Sequence, residues 1–237
     1  MENNVTVGSL LSTTLAIFVK RLPQLAGVAV IAYLPQMAFS ISVANRPDQP
    51  LAVFGLFPLM MIGSFIAQGA ITVATYHDLR GQGFQLGAGL SRAFSKFLFL
   101  IGLAIATTVM VFLGYLLLII PGIMLALALF VAVPALMVED LNIGNAISRS
   151  FELTAGYRLR ILGLSILAGL VVVVPFTIVS VVLGLVMDQT SMLYNILNTL
   201  ISGIAGTVTS VAAVVTYYRL REDVDGVGLE ELDEVFA

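Results

Sequence analysis

The chain has no cysteine, no tryptophan and a single histidine in 237 residues, and only 11 % of its residues are charged. Without cysteine there can be no disulfide, thiolate metal site or thiol catalysis. A typical soluble domain carries about 25 % charged residues. A domain of this length with so few could not cover itself in polar surface. The scarcity is also local, with no Lys, Arg, Asp or Glu over the 42 residues from Phe97 to Val138. Crossing roughly 30 Å of hydrocarbon takes about 20 apolar residues. The run therefore reads as two spans, with Pro121-Gly122 as the turn signal between them.

Hydrophobic residues fill the space, at 59 %. The same reading along the whole chain predicts six spans, at about 22–43, 51–76, 98–120, 123–138, 161–187 and 192–218. The fourth is the shortest and contains Pro134. Pro35, Pro58, Pro134 and Pro175 should each kink or interrupt a span. Lipid admits only helices and closed barrels. Barrel strands alternate polar and apolar residues, and a stretch such as Val171-Val172-Val173-Val174 does not.

One phrase occurs three times: Val7-Gly8-Ser9-Leu10-Leu11-Ser12-Thr13-Thr14-Leu15, Leu86-Gly87-Ala88-Gly89-Leu90-Ser91-Arg92-Ala93-Phe94 and Ile143-Gly144-Asn145-Ala146-Ile147-Ser148-Arg149-Ser150-Phe151. Gly holds the second place, an aliphatic the fifth, Ser the sixth and a bulky apolar residue the ninth. A repeat sets architecture before single residues are read. On a helix the first, fifth and ninth places share a face, with Arg92 and Arg149 opposite, and Asn142 is placed to cap the third copy. Each copy is expected to lie along the membrane interface, apolar face down. It serves either as an elbow that orients the next span or as a collector of anionic head groups. The expected fold is all-α: a polytopic membrane protein of six transmembrane helices in three hairpins, each preceded by an amphipathic interfacial helix. The units run over about 5–80, 85–140 and 142–221, followed by an acidic tail over 222–237.

Six spans place both termini on one side. Ten of the eleven basic residues fall on that side and only Arg46 on the other. Cytoplasmic loops carry the excess of Lys and Arg, so both termini are expected to be cytoplasmic. The start, Met1-Glu2-Asn3-Asn4, has no basic n-region and predicts no cleaved leader. A second echo joins the ends of spans two and six, Thr75-Tyr76-His77-Asp78-Leu79-Arg80 and Thr216-Tyr217-Tyr218-Arg219-Leu220-Arg221. Tyr at the interface with Arg just outside is an anchor pair. The fourth span ends differently, at Val138-Glu139-Asp140-Leu141.

Candidate lipid or partner contacts are therefore Arg92, Arg149, Arg80, Arg221, Tyr76 and Tyr217. Candidate helix-packing positions are the small residues Ser202, Gly206 and Ser210 in the sixth span and Gly102 and Ala106 in the third, because lipid supplies no hydrophobic drive for helix association. No ionisable group lies at mid-depth, where ion pathways need one. Gln36, Gln68, Thr107, Thr108, Asn195, Asn198 and Thr199 are the candidate polar residues for a pathway through the spans. His77 reads as an interface residue, Glu139 and Asp140 would diverge on a helix, and the Glu222–Gly226 stretch lacks the first ligand of a calcium loop. No catalytic residue, metal site, cofactor or nucleic-acid platform is expected.

The run Ile119-Ile120-Pro121-Gly122-Ile123, then Pro134, Glu139, Ala146, Ser148-Arg149-Ser150, Leu153-Thr154 and Gly156, with the closing Tyr217, Leu220-Arg221 and Val235-Phe236, resembles a group of bacterial polytopic proteins. These are the glycerophosphoryl diester phosphodiesterase membrane-domain-like and the related YciC-type proteins. The resemblance implies a six-helix bacterial inner-membrane protein. In fused members of that group hydrolysis belongs to a separate soluble domain rich in metal-binding acids and histidines. This sequence contains no such domain, so no phosphodiesterase activity is expected. The expected role is that of a non-catalytic accessory or scaffold subunit in contact with membrane lipids, anionic on the cytoplasmic face, and with other membrane protein subunits. The alternative is a transporter or channel component for a small or lipidic solute.

Overall fold

The computed structural model describes residues 5–45, 57–189 and 191–225. Those residues are helical, with no strand among them. Arg46, the start of the second expected span and the tail beyond Asp225 lie outside the described residues. The side chain of Gln36 does too. The helices are α1 (Val7–Lys20), α2 (Leu22–Asn45), α3 (Phe57–Leu79), α4 (Leu86–Ser95), α5 (Phe97–Leu117), α6 (Ile119–Ala128), α7 (Ala132–Val138), α8 (Ile143–Thr154), α9 (Arg158–Ala168), α10 (Val174–Val186) and α11 (Met192–Asp225). A π-helical turn, Gly169–Val173, joins α9 to α10. Four stretches are long and apolar enough to cross a membrane: α5, α6 with α7, α9 through α10, and α11.

Caps and breakers act where the sequence puts them. Thr6 and Ser9 form a capping box at the start of α1, and Asn142 accepts the amide of Asn145 at 2.9 Å to start α8. Both satisfy amides that have no partner inside the helix. Pro175 follows the π turn, where the ladder is already displaced. Pro134 breaks its span outright, since it has no N–H to offer the carbonyl of Phe130 four residues back. The chain leaves α6 at Leu129 and re-enters helix at Ala132. Pro121-Gly122, expected as a turn, instead lies inside the first turn of α6, and the connection is Leu118 alone. Proline is tolerated in a first turn. Gly122 is needed because a Cβ there would come within 2.8 Å of the Tyr115 amide and 2.5 Å of its ring.

The three phrase helices pack in a cyclic order. α4 packs on α3, α8 on α7, and α1 on α11. Each thus rests on the closing helix of the stretch before it, with the first resting on the last. The closing helices α3, α7 and α11 also touch one another. Burial agrees with this. Within the most apolar windows, α11 and α6–α7 have 56 % and 50 % of residues buried, against 17 % for α5 and 11 % for α9–α10. The former are central and the latter peripheral.

The face each phrase buries is not its most apolar one. The fourth and eighth places are buried in all three copies: Leu10 and Thr14, Gly89 and Ala93, Ala146 and Ser150. The first and fifth places are half-buried, and Phe94 at the ninth is exposed. In the second and third copies small residues take the inner face because they let backbones approach. A Cβ on Gly89 would lie 2.4 Å from the Ala70 carbonyl oxygen. Gly89→Leu is therefore expected to destabilise the protein by about 1–3 kcal/mol through overpacking, read as a lower midpoint of thermal unfolding in detergent. Gly87→Ala, where a Cβ meets nothing within 4 Å, should leave that midpoint unchanged.

Candidate functional site

Polar chemistry gathers in two places, the charged end of the bundle and a chamber beneath it. At the charged end Glu139 is the hub. Its carboxylate accepts from Arg149 Nε at 3.1 and 3.2 Å and from the Tyr217 hydroxyl at 2.7 Å, with Arg221 Nε 4.0 Å away. Arg149 extends the cluster to Glu152 at 3.1 Å and to Asp225 at 2.5 Å. Arg221 adds Asp225 at 3.5 Å, the Tyr76 hydroxyl at 3.5 Å and the Tyr217 hydroxyl at 3.4 Å. Burial disfavours the charge on Arg149, but its hydrogen bonds to Asp225, Glu139 and Glu152 outweigh that and hold its pKa above the ordinary arginine value. Such charge-assisted bonds are about twice as strong as neutral ones.

Both halves of the second sequence echo meet here. The rings of Tyr76 and Tyr217 stand 6.3 Å apart, and Tyr76 is edge-on to Tyr218 at 6.2 Å, within the range of favourable aromatic pairs. Thr75 and Thr216, one residue earlier in each echo, are both fully buried, and neither hydroxyl has a partner among the described residues.

Asp78 and Asp140 hold equivalent places before Leu79 and Leu141, and both close an ion pair to the joint after a phrase helix. Arg21 donates to Asp78 through Nε at 3.0 Å and Nη2 at 2.5 Å. Lys96 and Arg92 meet Asp140 at 2.5 and 2.9 Å. The left-handed backbone of Asp140, φ 57°, sends its carboxylate to this pair while Glu139 faces Arg149. That conformation is open to Asp at modest cost. The Lys96 hydrogen bond, followed by the Arg92 charge, holds the Asp140 carboxyl below its ordinary value of 3.8.

Of the residues singled out from sequence, Arg149, Arg221, Tyr76 and Tyr217 thus share one cluster. Arg92 stands apart at the second joint, 36 % exposed. Arg80 is half-buried at the end of α3. Gly102 receives the Ile143 side chain, with a Cβ position 2.5 Å from its Cδ1, and Ala106 is half-buried one turn on. Ser202 and Gly206 are exposed and line a cavity of about 290 Å³ between α10 and α11. Ser210 is half-buried, and the buried line of α11 runs one residue along, through Gly203, Thr207 and Val211. Asn195 donates its side-chain amide to Gln189 and Ser191 carbonyls and closes the turn before α11. Glu139 is the hub of the cluster, and the sequence reading gave it no partner. Its signal was its position, at the one span end that lacks the Tyr-Arg echo.

The second place is a cavity of about 280 Å³ beside the α6–α7 break, lined from α3, α5, α7 and α11 by Gln68, Thr72, Thr107, Thr108, Phe130 and Ser210 among others. Thr72 and Thr107 donate to the carbonyls of Gln68 and Leu103, each at 2.8 Å. The break is sealed on its other side by α8, where Ser150 and Thr154 hydroxyls donate to the Ala128 carbonyl at 2.7 and 3.3 Å. No group of three or more His, Asp or Glu side chains arranged to hold a metal occurs among the described residues.

Glu139→Ala leaves Arg149 and the Tyr217 hydroxyl short of an acceptor in a mostly buried setting, and should cost about 1–3 kcal/mol in denaturant unfolding in micelles. Tyr217→Phe, which keeps the ring, should cost about 1 kcal/mol. Asp140 has a lower carboxyl pKa folded than unfolded, so its pairing contributes fully above pH 3.8 and is lost as pH falls through the folded value. Asp140→Asn is expected to remove that share of the acid-induced loss of stability in a pH series of melts. No family model, curated protein or solved structure matches this chain.

Proposed function

We propose that this chain is a non-catalytic, multi-pass protein of a bacterial inner membrane that serves as an accessory or scaffold subunit of a larger membrane assembly. In this reading it has six spans, with α2 and α3 joining the four already described, and both termini are cytoplasmic. The three stretches are copies of one unit, an amphipathic helix plus a hairpin, closed in a ring. The cyclic packing of α1, α4 and α8 supports the repeat, as do the common buried places and the matched Arg21–Asp78 and Lys96–Asp140 pairs. The family resemblance over 119–156 supports the bacterial setting.

The observation that carries the scaffold role is the peripheral position of α10. None of its residues is buried, and Ile178, Val182 and Leu185 are 57, 51 and 81 % exposed. A helix that packs so little on its own chain offers its length to lipid or to a partner helix, where van der Waals packing drives association. Most described cations are matched within the chain, so anionic lipid contact falls mainly to the exposed Lys20 and to Arg92, whose partner Asp140 is itself 59 % exposed. The second reading, a transporter component for a small or lipidic solute, draws on the chamber at the helix break, because broken helices line binding sites in transporters.

A photo-crosslinking residue at Val182 should yield a stoichiometric protein adduct in native membranes. A protein that elutes free and monodisperse from mild detergent, with lipid adducts alone, would remove the scaffold role. Single cysteines at Gln85 and Val224 should react with an impermeant maleimide only from the cytoplasmic side, and one at Ser191 only from the opposite side. Any reversal breaks the topology. Arg92→Glu should lower co-purified anionic lipid, measured by lipid mass spectrometry.

A further inference from the structure

The chamber beside the α6–α7 break lies at one depth on three helices. Gln68 stands ten residues inside Asp78, Thr107 eleven inside Lys96, and Ser210 nine inside Arg219. At about 1.5 Å per residue that is about 14–17 Å below the charged end, near the middle of roughly 30 Å of hydrocarbon. A polar group at that depth without a partner is costly. The Phe130 carbonyl has none among the described residues, because Pro134 removed its donor. The Gln68 amide and the hydroxyls of Thr108 and Ser210 likewise engage no described group. These groups belong to residues that line one chamber, with no charged residue among them.

A second cavity of about 450 Å³ shares Phe65, Ala104 and Thr108 with the chamber and continues along α3 and α5 past Ile62, Ile101 and Val109. It opens sideways, where Thr108, Ile105 and Val109 are exposed. Toward the charged end the next turns of α3 and α11 carry Thr75, Val214 and Tyr217, all fully buried. Access is therefore from the lipid, and the occupant has an apolar tail and an uncharged hydrogen-bonding head. A phosphate head would find no countercharge here and would lose its solvation.

We propose that the chamber holds the hydroxyl- and ester-bearing head of a diacylglycerol-class lipid, with an acyl chain in the α3–α5 groove. Gln68 and Thr108 donate to its oxygens, and the Phe130 carbonyl accepts from its hydroxyl. This assignment does not rest on the scaffold reading. It needs only that these helices lie in a bilayer.

The test uses the full chain in liposomes with a trace of photoactivatable diacylglycerol, and, in parallel, photoactivatable phosphatidylcholine bearing the same chain. Adducts are mapped by peptide mass spectrometry. The diacylglycerol probe should label the segments 62–68 and 101–109, and unlabelled diacylglycerol should compete it away. Gln68→Leu should reduce that labelling about fivefold, the worth of one or two hydrogen bonds. Ile105→Trp, which fills the groove, should reduce it as well, and the phosphatidylcholine adducts should not change. Thr108→Val, on an exposed face, carries the same expectation should Gln68→Leu fail to fold. Equal, non-saturable labelling by both probes overturns the proposal, as does labelling indifferent to these substitutions. Competition by glycerol alone would assign the chamber to an aqueous solute and also overturn it.

Discussion

One missing amide proton organises much of this molecule. Pro134 cannot donate to the Phe130 carbonyl, and in hydrocarbon no water replaces the lost bond. The span divides into α6 and α7, and the carbonyls at the end of α6 need other donors. Ser150 and Thr154 supply them to Ala128. That requirement holds α8 against the break. With α8 so placed, Arg149 projects from it to Glu139 at the end of α7 and to Asp225 at the end of α11. The chamber, the seal and the charged cluster all follow from one residue that removes a donor.

Much of this was legible in the sequence. The three phrase helices, the Asn142 cap and the interruption at Pro134 lie where periodicity and breaker chemistry place them. The orientation of the phrase helices was less so. A helical wheel gathers Leu86, Leu90 and Phe94 on one face, expected toward the membrane interface, and does not say which face meets the rest of the chain. Packing inside a membrane protein instead rewards small residues, and Gly89 with Ala93 took the inner face. The signal was present as small residues at the fourth and eighth places of the second and third copies. The first copy, with Leu10 and Thr14 there, obscured it.

The charges were legible by position but not by partner. Sequence placed Arg149 on a polar face, and nothing local revealed that Glu139, ten residues back, and Asp225, seventy-six residues on, would close around it. Such pairs depend on the cyclic packing of α8 on α7 and α11, which one-dimensional periodicity does not encode. The tyrosines of the echo were similarly visible as interface anchors, and their mutual stacking was not. The two segments that share the echo come into contact because α3 and α11 pack on each other.

The two polar regions have different physical characters, and that difference bears on function. The charged cluster saturates its own groups. Arg149 meets three carboxylates and Glu139 meets an arginine and a tyrosine hydroxyl, so a ligand there would have to break bonds already made. The chamber is the reverse: the Gln68 amide, the Thr108 and Ser210 hydroxyls and the Phe130 carbonyl have no partner among the described residues. A fully satisfied network rigidifies and fixes the relative positions of helices, whereas an unsatisfied one is a standing demand for a partner. The charged end is thus suited to hold α3, α7 and α11 in register. Binding free energy is to be gained at the break, where each bond to a ligand also relieves the cost of a group left without one.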